Sequence, residues 1–236
     1  METPVQRSLL KTIFHVGFGD KLKDLVIAGT ASGASNFDLA YPVTIDGRHV
    51  GAHLHFSRAA PGTDYCFEYY QLSVDDKTHV FRLSNGWGIT LKEGYNLLCG
   101  RAVHKQWLKD ETKVKEWVQL DLTDFNGESY TMHTWTEDYD FDIEKAVNAI
   151  DISLPSSNWD MAMLYRSLER GNLQAVTLRQ SGIATQAFIC ANPKDKNILI
   201  YPEAKNDEEM ELHADSDDIE AAMNRKNFRK RKPIIK

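Results

Sequence analysis

Phe37-Asp38-Leu39-Ala40-Tyr41-Pro42-Val43-Thr44-Ile45-Asp46-Gly47 is where the chain changes its hydrophobic period. Apolar side chains alternate up to Asp46-Gly47, and a second alternating run, Val50 to Phe56, follows with Val50, Ala52, Leu54 and Phe56 on one face. Asp-Gly between two such runs predicts a hairpin, because a type I′ turn needs positive φ at both central residues. The region is therefore antiparallel sheet, and the rest of the chain is organised around it.

Upstream, the pattern is helical. Thr3-Pro4 reads as a helix start: a capping hydroxyl, then a proline whose missing N–H costs nothing in the first turn. Val5, Leu9, Leu10 and Ile13 share a face, and Gly17 and Gly19 end the helix. Asp20 is expected to cap a second helix carrying Leu22, Leu25 and Val26. Downstream, Tyr65 to Val74 and Thr78 to Leu83 read as strands. Thr90 with Glu93 three residues on is a capping box, and it opens a short helix with Leu91, Tyr95 and Leu98 inward, ended by Gly100. Lys115 to Leu122 alternates as a strand, with Trp117 opposite to Glu116 and Val118. Asn126-Gly127 marks a second hairpin, whose return strand is Ser129 to Trp135. Asp142 is expected to cap a helix bearing Ile143, Val147 and Ile150.

The predicted fold class is α+β. A main domain of antiparallel sheet with short helices spans 1–150, a linker 151–157, and a small helix-plus-meander module 158–202. In that module a helix with Met163, Leu164 and Leu168 precedes strands at 174–180, 184–191 and 197–201. The last segment, 203–236, has a different composition. From Glu203 to Glu220 there are nine acids against one lysine, and from Arg225 to Lys236 seven bases and no acid. With so few apolar residues packing cannot offset the ordering entropy, and the expectation is a disordered acidic-then-basic tail.

Composition narrows function mainly by exclusion. The 236 residues carry a net charge of −6, too mild for a generic polyanion binder as a whole. Cys66, Cys99 and Cys190 are too far apart for a zinc knuckle or redox pair and lie in apolar runs, which reads as buried free thiols in a reducing compartment. The N-terminus shows no signal peptide and no stretch reaches a transmembrane length, so a cytoplasmic protein without membrane contact is expected. No phosphate loop or nucleophile elbow occurs. No cofactor is expected. His53 and His55, two apart on a strand, share a face and are the weak candidates for a metal site; the alternation makes that face the solvent side. His104 and His133 read as surface or half-buried histidines, and Glu137, Asp138 and Asp140 as a solvated turn. Tyr65, Phe67 and Tyr69 would line one strand face; with Asp64 and Glu68 beside them, core packing is favoured over base stacking. The clearest partner signal is the basic end, where Arg225, Lys226, Arg229, Lys230, Arg231 and Lys232 could hold a phosphate backbone by counterion release.

Several segments taken together resemble a known family. They are Phe37 to Pro42, Ile89 to Val103, Trp117 to Leu122, Tyr139 to Asp142, Ser167 to Thr177 and Ala191 to Lys194. In this order they resemble an uncharacterised family common in Bacteroidetes genomes and their conjugative elements, catalogued as a domain of unknown function. The resemblance spans residues 37–202. It implies a bacterial cytoplasmic setting among mobile-element cargo, near DNA-processing genes, and it transfers no catalytic residue. The function expected first is a non-enzymatic accessory or binding module for DNA-related machinery. The alternatives are a protein–protein adaptor with a solvating tail, and an enzyme whose site is assembled from scattered residues.

Overall fold

The structure is a computed structural model that describes residues 2–60, 64–84, 87–109, 112–154, 160–180 and 182–202. The acidic-then-basic tail and its six named cations lie outside the described residues.

Two helices lead. Helix α1 (Pro4–Val16) carries the full capping box at Thr3 and Gln6 and ends on Gly17. Helix α2 (Lys23–Ala31) starts differently from expectation. The Asp20 side chain does not cap it; Leu22 is the N-cap, and the Asp20 backbone carbonyl accepts from Lys23 N–H instead. Leu22 and Val26 are buried, whereas Leu25 points to solvent.

The first sheet is a meander of β1 (Asn36–Ile45), β2 (Arg48–Ser57), β3 (Cys66–Val74) and β4 (Lys77–Arg82). The predicted hairpin closes at Asp46-Gly47, with φ of 45° and 87°. Pro42 sits in the edge strand β1, where a missing N–H breaks no ladder. The inward residues Leu54, Phe56, Tyr70 and Leu72 pack with Leu9 and Ile13 of α1 and with helix α3 (Leu91–Leu98) in one apolar cluster. Helix α3 lies very close to the sheet: a Cβ on Gly94 would meet the Phe81 ring at 2.9 Å.

The second sheet is β5 (Val103–Lys109), β6 (Thr112–Phe125) and β7 (Tyr130–Thr136). After it come helix α4 (Ile143–Asn148), capped by Asp142 as expected, and the short strand β8 (Ile152–Ser153), which lies within the stretch read as a linker. Helix α5 (Met161–Glu169), β9 (Gln174–Gln180), β10 (Ile183–Asn192) and β11 (Asn197–Pro202) complete the chain. The third sheet has the order β11-β10-β9-β8. Leu164 and Leu168 of α5 are buried, while Met163 is exposed. The fold is α+β, as the sequence predicts.

The two apolar clusters meet at β6. Val118 and Leu120 face the first cluster, and Trp117 faces the second with Val147, Leu164 and Val176. Trp117 is 5% exposed, stacks on His104 at 4.9 Å and meets Phe141 edge-on. An alternating strand normally has one wet face; here both alternate sets are covered, and Glu116 is buried as well. His104 Nδ1 lies 3.2 Å from Glu169 Oε1, tying α5 to the same strand pair.

Candidate functional site

Helices α1, α2 and α3 cover one face of the first sheet. Its other face is open, and the registers place its side chains in rows. One row runs Asp38, His55, Tyr69, Arg82; the next Ala40, His53, Gln71, Val80; the third Pro42, Gly51, Ser73, Thr78. In the first row every neighbouring pair interacts. His55 Nδ1 is 2.7 Å from Asp38 Oδ1, the His55 and Tyr69 rings stack at 4.7 Å with a 17° interplanar angle, and the Arg82 guanidinium lies over Tyr69 at 5.4 Å. Gly51 offers no side chain and no described residue stands directly above it, so the third row is a trough. An open depression of about 1160 Å³ runs over it towards His49, Thr44 and Lys21.

The presence of Tyr69 in this row corrects the sequence reading, which placed Tyr65, Phe67 and Tyr69 on one face. Tyr65 and Phe67 are buried, but the β2–β3 register shifts: His55 pairs with Tyr69 and Phe56 with Phe67, leaving Glu68 as an extra residue. That bulge inverts the alternation after it, so Tyr70 enters the core and Tyr69 turns outward. The same alternation corrects Cys66, which is exposed because it points opposite to Tyr65 and Phe67. Cys190 is buried and Cys99 half-buried, and all three thiols are free.

Just past β4, Leu83 N–H donates to the Glu68 carbonyl and continues the ladder. Ser84 and Trp87 then exchange both backbone hydrogen bonds as an antiparallel pair. Paired residues share a face, and Ser84 is two residues beyond Arg82, so Trp87 stands on the Arg82 side. Trp87 is 77% exposed. No reading of the sequence singled it out; an Asn-Gly turn signal at Asn85-Gly86, directly before it, was the available clue.

His53 and His55 share the outer face, as their spacing requires: His53 is exposed, and His55 is engaged by Asp38 and Tyr69. Among the described residues no group of three or more His, Cys, Asp or Glu is placed to hold a metal ion. His133 lies outside these rows on β7, where its Nε2 is 3.3 Å from Asp121 Oδ2. Hydrogen bonds from the Thr123 hydroxyl, the Thr123 N–H and His133 hold the Asp121 carboxyl down at about 2. Glu137 and Asp138 form a 3-10 turn closed by Asp140 at φ 59°.

A second polar cluster, unforeseen in the sequence, is buried near the meeting of the two apolar clusters. Asn96, fully buried on α3, donates to the Arg170 carbonyl at 2.7 Å and to Asn172 Oδ1 at 2.9 Å, and accepts from Arg101 Nη2 at 2.6 Å. Among the described residues Arg101 Nε has no hydrogen-bond partner. Gly171, at φ 74°, passes so close that a Cβ would meet the Ala102 carbonyl at 2.7 Å. This arrangement pins the C-terminus of α5 to α3.

No protein-family model, no curated protein and no solved structure matches the chain. Among the described residues no helix is long and apolar enough to cross a membrane.

Proposed function

We propose that this chain is a non-enzymatic accessory module that binds nucleic acid in the cytoplasm, in the service of the DNA-processing machinery of a mobile element. The observation that supports the reading is the open face of the first sheet, where Tyr69, His55 and Arg82 stand in register. Flat π-faces with a guanidinium on a solvent-facing sheet are the groups that hold bases. The seven cations between Arg225 and Lys236 supply the phosphate contacts that a net acidic protein otherwise lacks. The family resemblance of residues 37–202 supplies the setting.

The test is a titration of a labelled oligonucleotide with full-length protein and with protein truncated after Ala222, each at two salt concentrations. Full-length protein is expected to bind weakly, with Kd on the order of micromolar or poorer, and to weaken steeply with salt. The truncated form is expected to bind less tightly and with a shallower salt slope. Absence of binding by full-length protein at low salt overturns the proposal. It would favour the adaptor reading, which the exposed Trp87 supports because exposed tryptophans anchor protein interfaces.

A further inference from the structure

We infer that the outer face of the β1–β4 sheet is a seat for single-stranded nucleic acid, with unpaired bases stacking on Trp87 and on the His55–Tyr69 pair. This rests on the nucleic-acid reading above and specifies which form is bound and where.

Three observations carry it. The face is open: the row beside the aromatic one runs Ala40, His53, Gln71, Val80, and beyond it Gly51, Ser73 and Thr78 leave the trough. Its π-surfaces are of two kinds. Tyr69 and His55 are already stacked, Asp38 holds the imidazole and the Arg82 guanidinium lies over the Tyr69 ring, so the three form a preorganised stack that a base can extend. Trp87 is 77% exposed on the Arg82 side of the sheet, past the end of β4, with a ring surface that no side chain of the described residues stacks upon. Finally, the face carries groups that can hold a phosphate chain at close range. Arg82 and the imidazoles of His49, His53 and His55 lie on it, and the carboxylates about it are engaged, Asp38 by His55, Glu68 by the Ser57 hydroxyl and Glu128 by Arg82 itself at 3.9 Å.

A duplex presents its phosphates outward and its bases only by their edges, and it offers such a surface nothing to stack on. A single strand can splay its bases flat, and four-stranded sheet faces seat about two or three of them this way. The chain thus separates its two contributions: the sheet face discriminates strandedness, and the basic end, which is indifferent to it, adds affinity.

The experiment compares full-length protein on a labelled single strand and on a duplex of the same sequence, for the natural chain and for Trp87→Ala, Trp87→Phe, Tyr69→Ala and Phe14→Ala. Phe14 is an exposed aromatic on α1, across the sheet from the proposed seat. Thermal melting of each variant checks that the fold is intact. Trp87→Ala is expected to weaken single-strand binding roughly five-fold or more, the loss of one stacked base. Trp87→Phe should retain most of it, Tyr69→Ala should weaken it further, and Phe14→Ala should change nothing. Duplex binding should be weaker from the outset and indifferent to all four. Duplex bound as tightly as single strand, or single-strand binding untouched by both Trp87→Ala and Tyr69→Ala, overturns this inference and leaves the nucleic-acid reading to the tail. Failure of the natural chain to bind either form overturns both.

Discussion

His79 is a buried histidine that the fold holds neutral. It is 5% exposed, packs against Phe81, lies parallel to Tyr130, and its Nδ1 accepts a hydrogen bond from Tyr130 N–H at 3.0 Å. Burial lowers its pKa to about 4. The sign of the pH dependence follows. The unfolded chain takes up a proton near the ordinary value of 6.5, whereas the folded chain refuses it until about 4. Stability from this group is therefore complete above 6.5, falls as the pH drops towards 4 and levels below it, a total of roughly 3 kcal/mol. Denaturant midpoints at pH 7 and pH 5 measure this for the natural chain and for His79→Gln. The variant should lose much of the difference between the two; an unchanged difference would mean that other groups set it. Trp117 permits a second residue-scale prediction. It is buried against Phe141 and His104, so Trp117→Ala should cost about 3–5 kcal/mol. An unshifted thermal midpoint would contradict that packing.

At the scale of elements, local signals were the readable ones. Thr3-Pro4, Thr90 with Glu93, Asp142 and Asp46-Gly47 each contain their whole instruction within a few residues, and each forms the cap or turn it spells. What could not be read depended on partners distant in sequence. The bulge at Glu68 is set by how β3 meets β2, and it alone decides that Tyr69 faces solvent. Asn96 looks like an ordinary surface residue near the end of a helix, yet it is fully buried and bonds to Arg170 and Asn172, more than seventy positions away. Leu25 and Met163 follow a helical period and still point outward, because among the described residues no neighbour covers that side of α2 or α5. The candidate site inherits this division. Its histidines were legible as an outer face; the Tyr69 step and Trp87 were not.

For the whole molecule, the question is whether two apolar clusters mean two units that melt apart. Strand β6 contributes Val118 and Leu120 to one cluster and Trp117 to the other. The Asn96–Arg101–Asn172 cluster adds a buried polar tie between α3 and the end of α5. Loss of either cluster would leave one face of β6 bare, so the two are expected to unfold together. Urea unfolding followed by tryptophan fluorescence and by far-ultraviolet circular dichroism should give coincident transitions. Separated midpoints would show that β6 does not couple the clusters.

Strand β6 also governs how the gene can be shortened. A product stopping ahead of α4 would present Trp117, Ala102 and Trp135 to water, an apolar patch of the kind that drives self-association. A product beginning at Asp142 would leave Val147, Leu164, Leu168 and Val176 bare in turn. Neither piece is a sound object to purify alone. Their uncovered surfaces are complementary, so when produced in one cell the two would be each other's best ligand, behaving as an obligate heterodimer cut from a single polypeptide.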